Sequence, residues 1–410
     1  MSRPAPIRTV DHPITPEQID EDAAKVLRRL NQFGHEAFLV GGGVRDLMLG
    51  IQPKDYDVVT SATPNEVRDL FNNCRLIGRR FRLAHILFSG GKIIECATFR
   101  AKPPETSRGD LIVDDNEFGT PDTDAQRRDF TVNGLFYDQQ TTQVIDYVGG
   151  LHDLERRVLC TIGEPAVRFR EDPVRMLRAV KFMARLDLDL DPANRAAIES
   201  ERTELTKSAI PRLYEEIIRM LKGGAAARSF ELLEELGLLE LMLPEFSGWL
   251  RGNPGAPEAL KRTLGALDDA IRQGASASNG MLITALYWPI YRDLVSPYAE
   301  GANPKAMAEM AQILVSPAAA RLRMPRRDLF AVINALERQY RHHQVLKKKG
   351  RRVSFVREQS FPEFIGLLHL RTVSEGLPQE PLQAWQDLAL EHRRPEQHRP
   401  RRGRRRPRRR

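Results

Sequence analysis

The chain has 410 residues, 41% of them hydrophobic and 29% charged, with a formal net charge of +8. That length supports two or three domains, and no run of 18 or more apolar residues is present, so a helical membrane span is excluded and no membrane partner is expected. Cys74, Cys96 and Cys160 are scattered without metal-ligand spacing, which argues against a disulfide framework and predicts reduced thiols in a cytoplasmic protein.

In chain order, residues 1–18 carry no apolar signal core and read as a flexible leader. Ala37-Phe38-Leu39-Val40 is a short apolar strand running into Gly41-Gly42-Gly43, and Val44 to Leu49 reads as a helix that Gly50 stops. Glycines at a strand-to-helix junction let the backbone approach a phosphate, and the helix N-terminus favours an anion. Gly42 and Gly43 are therefore candidate nucleotide contacts, and Arg45, one turn in, is a candidate partner for the same phosphate.

Asp55 and Asp57 follow directly. If residues 56–60 form a strand, the two carboxylates project to one side, close enough to share a cation. Ile93 to Phe99 is a β-branched strand with Glu95 in its middle, and a buried carboxylate there requires a partner, for which a shared Mg²⁺ is the simplest. His85, in the strand from Leu83 to Phe88, reads as a structural histidine, and His342-His343 as a solvent-facing pair.

Asp172 and Arg175, three apart on a predicted helix, share a face, where an acceptor-only carboxylate beside a donor-only guanidinium suits the edge of a base. Arg178 and Lys181 continue that face as a basic stripe. After Arg168 helical periodicity dominates, as in Ile217 to Leu221 and Phe230 to Leu236 with Gly237 as a stop. Lys347, Lys348, Lys349, Arg351 and Arg352 form a basic cluster in this helical part.

Residues 391–410 hold eleven arginines against two glutamates, so the basicity of the chain lies largely there. With nothing apolar to bury, this tail, including Arg401, Arg402, Arg404, Arg405 and Arg406, is expected to be disordered and to bind RNA phosphates without sequence preference.

Five ordered segments carry a resemblance: Phe38 to Phe71, Gly78 to His85, Ile94 to Arg100, Gln126 to Gly134 and Arg170 to Ala179. Together they resemble the class II template-independent RNA nucleotidyltransferases, which comprise bacterial poly(A) polymerases and the enzymes that add CCA to tRNA. The resemblance implies an α+β catalytic head of the nucleotidyltransferase fold, a mixed sheet with flanking helices, followed by an all-α neck, body and RNA-binding region. The expected boundaries are 19–150 for the head, 151–245 for a neck with the base-recognition motif, 246–390 for a helical body that binds RNA, and 391–410 for the tail.

The resemblance also implies that Asp55, Asp57 and Glu95 are catalytic and hold two Mg²⁺ ions, with Mn²⁺ a possible substitute. It puts Arg128 on the triphosphate. Asp129 would either assist the reaction or fix an arginine, and Asp172 and Arg175 would meet the incoming base. The implied activity is addition of AMP from ATP to RNA 3′ ends with release of pyrophosphate, and proteins of RNA decay are possible partners. The Gly78-Arg79-Arg80-Phe81 segment and the arginine tail favour poly(A) synthesis. A CCA-adding or A-adding enzyme is the alternative, and an RNA-binding protein with a degenerate head is a third reading.

Overall fold

The computed structural model describes residues 5–78, 82–101, 118–298 and 303–392. Two compact units emerge. The first takes residues 1–208 with 235–238, and the second takes 209–234 with 239–410. The division falls at residue 208, inside the stretch expected as a neck, and the helices between residues 150 and 208 belong to the sheet-bearing unit.

The first unit is built on eight strands: β1 (Ile7–Thr9), β2 (Ala37–Val40), β3 (Asp57–Thr60), β4 (Cys74–Ile77), β5 (Leu83–Leu87), β6 (Ile93–Thr98), β7 (Leu135–Asp138) and β8 (Gln143–Asp146). Their order across the sheet is β1-β8-β7-β2-β3-β6-β5-β4. Every pairing is antiparallel except β3 with β6, so the sheet is mixed, as expected. All four residues of β2 are buried, which explains why its sequence is a continuous apolar run rather than an alternating one. The leader is not wholly loose: Ile7 to Thr9 pair with Val144 to Asp146, and the Tyr56 hydroxyl donates to the Gln18 carbonyl at 2.7 Å.

Among the described residues eight α-helices accompany the sheet: α1 (Glu21–Gln32), α2 (Gly42–Met48), α3 (Pro64–Leu70), α4 (Pro121–Arg127), α5 (Gly150–Glu155), α6 (Pro165–Glu171), α7 (Val174–Leu186) and α8 (Pro192–Glu201). Asp20 caps α1 by accepting from the Asp22 and Ala23 amides, and Thr63 with Glu66 forms a capping box on α3. Phe38, Val40, Val59, Phe136 and Ile145 from the strands and Phe99, just past the end of β6, pack with Ala125 of α4, which sets the start of the Arg127-Arg128-Asp129 turn beside the sheet. A short parallel pair, β9 (Val158–Leu159) and β10 (Asp189–Leu190), completes the unit.

The second unit is helical: α9 (Ile210–Leu221), α10 (Ala226–Glu235), α11 (Leu239–Met242), α12 (Pro244–Gly252), α13 (Ala256–Arg272), α14 (Asn279–Val295), α15 (Pro304–Arg321), α16 (Arg326–Leu346), α17 (Lys349–Val356), α18 (Phe361–Glu375) and α19 (Glu380–Glu391). Trp385, fully buried, packs with Phe355, Phe361 and Phe364. His342 is not solvent-facing: it is 1% exposed, and its Nδ1 accepts from the Trp385 indole N–H at 3.3 Å. Its position on α16 aims it at the aromatic cluster while His343 remains exposed. Among the described residues no helix is long and apolar enough to cross a membrane.

Candidate active site

The glycine turn begins the site. Gly41 has φ +70°, and a Cβ there would lie 2.9 Å from Arg128 Nη1, so both conformation and space require glycine. Gly42 opens α2 and lines the cleft, whereas a Cβ on Gly43 would approach the Asp55 carbonyl at 3.4 Å. Gly43 thus permits close packing of the loop that carries Asp55. Arg45 is 2% exposed, donates to Asp46 Oδ1 and Asn133 Oδ1, and stacks 4.9 Å from the Phe182 ring centroid. Already engaged, it favours a positioning role over the direct phosphate contact expected of it.

Asp57 is the first residue of β3, paired with Val40, while Asp55 lies in the loop before the strand. Both are exposed at the residue level. Val58 pairs with Cys96 in the parallel β3–β6 register, so Asp57 and Glu95 sit one step earlier on adjacent strands and share a face. The surrounding protein pushes the Asp57 carboxyl up to about 6, the negative charges of Glu95 and Asp55 push the same way, and Arg128 opposes them. Glu95 is not buried: its side chain is half-exposed, because β6 turns Ile94 and Cys96 inward and Glu95 outward. Its cross-strand neighbour is His85, whose Nε2 lies 3.5 Å from Glu95 Oε1. Among the described residues no three His, Cys, Asp or Glu side chains converge as a ready ligand set.

Facing these carboxylates is a basic wall. Asp57, Gly41, Gly42, Arg127, Arg128 and Arg175 line an open cleft of about 350 Å³, together with Arg45, Asp129, Asn133, Arg178 and Phe182. Arg128 pairs with Asp124 at 3.0 Å and rests 5.4 Å from the Phe136 ring centroid, while its Nε is buried without a hydrogen-bond acceptor. Asp129 accepts from the Phe130 amide at 2.9 Å and from Asn133 Nδ2 at 3.0 Å, and its other oxygen meets Arg178 Nη2 at 2.6 Å. Of the two roles open to Asp129, the geometry favours fixing an arginine. Arg178 Nε is likewise buried without an acceptor. Cleft-lining guanidinium groups held in place by carboxylates form a preorganised anion site.

The base-recognition motif is arranged differently from its sequence reading. Asp172 does not share a helix with Arg175: it caps the end of α6 in extended backbone, because Pro173 stops one helix before α7 begins. Arg175 donates to the Arg168 carbonyl at 2.7 Å and lies 3.3 Å from Glu171. Arg168 in turn donates to the Arg127 and Arg128 carbonyls, tying this motif to the Arg-Arg-Asp turn. Arg175 and Arg178 reach the cleft; Asp55, Glu95, Gly43, Asp172 and Lys181 are outside its lining. Lys181 Nζ instead sits 5.0 Å from the Phe182 ring centroid.

Sequence reasoning missed Gly41, Arg127, Asn133 and Phe182. Asn133 bridges Arg45 and Asp129, and Phe182 is the ring on which Arg45, Arg178 and Lys181 converge. Asn133 stood four residues after Asp129 in a recognised block, which is a usable signal. Nothing in the sequence marked Phe182 beyond an aromatic in a basic helix.

In the helical unit, Lys347, Lys348, Lys349 and Arg351 are exposed and Arg352 is half-buried where α16 passes into α17. Arg401, Arg402, Arg404, Arg405 and Arg406 lie outside the described residues, as do Arg79, Arg80 and Phe81.

Comparison with known proteins gives two family matches: residues 37–160 match the "Poly A polymerase head domain" and residues 187–250 the "Probable RNA and SrmB-binding site of polymerase A". The chain is 43% identical over 288 residues to poly(A) polymerase I of Salmonella typhimurium, covering 68% of this chain and 62% of that protein. It is 38% identical over 301 residues to poly(A) polymerase I of Haemophilus influenzae, covering 70% and 66%. A CCA-adding enzyme of Bacillus licheniformis is 34% identical over 235 residues, covering 55% of this chain and 56% of that one. The chain thus matches about three fifths of the length of the Salmonella relative. Among solved structures, a tRNA nucleotidyltransferase complexed with a primer tRNA and an incoming ATP analog superposes with a TM-score of 0.61 at 22% identity, covering 89% of this chain and 98% of that one, a likeness of fold. The ordered motifs, the mixed-sheet head and these relatives agree that the chain belongs to the class II template-independent RNA nucleotidyltransferases, the family that bacterial poly(A) polymerases share with CCA-adding enzymes.

Proposed function

We propose that this protein adds AMP from ATP to RNA 3′ ends without a template, in the cytoplasm, with release of pyrophosphate. The observation that carries the reading is the cleft that Asp57 shares with Arg127, Arg128, Arg175 and Arg178, its other carboxylate, Asp129, being paired with Arg178, so that guanidinium groups suited to a triphosphate dominate its wall. The poly(A) polymerase relatives at 43% and 38% identity, against 34% for a CCA-adding enzyme, favour ATP as the substrate.

Asp55 and Asp57, with Glu95 on the adjacent strand, would hold Mg²⁺, two ions in the full complement and Mn²⁺ as a substitute. The fit rests on Asp57, whose carboxyl is raised partly by the like charges of Glu95 and Asp55, a repulsion that a divalent cation relieves. When bound, the metal lowers the pKa of the RNA 3′-hydroxyl and neutralises the triphosphate.

The residues of the chain bind and orient. Arg128 and Arg178, which line the cleft, take the phosphate oxygens, and Gly42 admits them to the backbone; Lys181 adds positive charge further along α7. Asp129, held by Asn133, keeps Arg178 in place. Arg175, with Asp172 at the helix break, meets the edge of the incoming base. The 3′-oxygen attacks the α-phosphorus, the bond to the bridging oxygen breaks, and pyrophosphate leaves with the negative charge that the arginines stabilise. Lys347, Lys348, Lys349, Arg351, Arg352 and the arginine tail grip RNA through its backbone, and proteins of RNA decay are further partners in this reading.

The test is primer extension with Mg²⁺, offering ATP alone or CTP alone on an unstructured RNA oligonucleotide. Extension by ATP and little by CTP is expected. Equal use of both nucleotides would overturn the ATP assignment, and no extension with either would leave the head without the proposed activity.

A further inference from the structure

A second cavity lies wholly within the helical unit. Its volume is about 240 Å³, and it forms where the N-termini of α14, α16 and α18 meet, with Ser278, Arg327, Asp328, Phe330, Ser360 and Glu363 in its wall. Three helix N-termini concentrate positive potential, which accounts for two carboxylates in so enclosed a place. Asp328 is 4% exposed and accepts from the Tyr214 hydroxyl at 3.0 Å.

Glu363 is different. It is 9% exposed, its Oε1 accepts from the Ser278 hydroxyl at 2.8 Å, and its Oε2 is buried with no hydrogen-bond partner. Arg338, the nearby cation, pairs with Glu358 and donates to the Ser360 hydroxyl, and it feels the charge of Glu363 without a hydrogen bond to its Oε2. A buried carboxyl oxygen left without a hydrogen-bond partner inside a walled cavity is costly unless a ligand supplies the N–H.

Two features of the rim say which ligand. Phe330 is a large aromatic left 56% exposed at the mouth, and the Arg327 side chain beside it is 78% exposed. An exposed ring, a solvent-exposed guanidinium anchored at its Nε by Asp328 and a buried acceptor are the parts used to hold one unstacked base and its phosphate. Ser360 Oγ accepts from Arg338, which leaves its own proton to donate beside Glu363.

We propose that this cavity binds a single nucleobase bearing an exocyclic amino group, taken from single-stranded RNA. The base stacks on Phe330, its amino group donates to Glu363 Oε2, the Ser360 hydroxyl donates to the adjacent ring nitrogen, and Arg327 meets the phosphate. The proposal rests on RNA being the substrate of the head, and adds a sequence-sensitive contact to a backbone grip that has none.

The test is equilibrium binding of the full chain, without ATP or metal, to labelled oligo(A) and to an oligonucleotide of equal length in which purine riboside, lacking the 6-amino group, replaces adenosine. Backbone contacts are common to both and cancel in the comparison. Wild-type protein should bind oligo(A) roughly tenfold more tightly, the size of one hydrogen bond to a charged acceptor. Glu363→Gln, which puts an N–H donor where the unpartnered oxygen stood, should erase the preference. Phe330→Ala, at an exposed position that leaves folding untouched, should reduce it and weaken both oligonucleotides. Equal affinities in the wild type, or a preference that survives both substitutions, would overturn the proposal. Both variants should still add AMP to a short primer. A wild-type protein that shows the amino-group preference but adds no AMP would support the pocket and defeat the polyadenylation reading instead.

Discussion

The head and the helical unit both bury charge, but to different ends. In the head, arginines that line a cleft are each held by a carboxylate, Arg178 by Asp129 and Arg128 by Asp124, and each keeps a buried Nε without an acceptor. In the helical unit an aromatic cluster is buried, and His342 beside it is kept neutral by burial against Trp385 and Phe364. Charge with unmet valence marks a place built for a ligand, whereas charge suppressed by packing marks a place built for stability.

The comparison breaks most visibly at the carboxylates. Asp57→Ala, or Asp55→Ala, should lower AMP addition by three orders of magnitude or more, about 4 kcal/mol of transition-state stabilisation, while circular dichroism and RNA binding stay near those of the wild type. Activity within tenfold of the wild type would show that the acidic side of the cleft does not do the chemistry.

On the stability side, Trp385→Ala should cost about 3–5 kcal/mol, as expected for a fully buried aromatic whose loss leaves a cavity. A denaturant melt followed by tryptophan-independent probes such as far-ultraviolet circular dichroism would register it. An unchanged midpoint would remove the claim that this cluster anchors α16 to α19.

Asp129→Asn sharpens the difference between binding and positioning. Removing the charge that fixes Arg178 should lower kcat/KM for ATP about 10–100-fold, with thermal stability reduced far less than activity. An Arg178→Lys variant with the same defect would support a shared role, because a lysine cannot keep the fork geometry.

A last effect is in pH dependence. Burial, then the neighbouring charges of His343 and Arg371, hold His342 down at about 3. The unfolded chain takes up a proton near pH 6.5 that the folded one refuses, so this stability is complete above pH 6.5 and is lost as pH falls toward 3. Between pH 6.5 and 4.5 the loss should be about 2–3 kcal/mol, and His342→Gln should remove that share. A wild-type slope equal to that of the variant would contradict it.

Much of the head was legible because its signals are local. A glycine turn after an apolar run, carboxylates spaced by one residue and an Arg-Arg-Asp block each keep their meaning within a few residues. What was missed depends on distant packing: Asn133 matters because it lies between Arg45 and Asp129, and Glu95 faces outward because of the phase of β6 within the sheet. Pro173 was visible, yet Asp172 and Arg175 were read on one helix, although a proline there breaks α6 from α7. In the helical unit the periodicity announced helices but not their partners, so neither the burial of His342 nor the cavity around Glu363 could be read in advance.

The most direct test of the account is the length of the product. With Mg²⁺ and ATP, the protein is offered in parallel an unstructured RNA oligonucleotide and a tRNA lacking its 3′ end, and the products are resolved by length. Long ladders on the oligonucleotide, with one pyrophosphate released per nucleotide added, are the predicted result; addition confined to the tRNA and stopping within three nucleotides would contradict it and make the chain a tRNA-end enzyme.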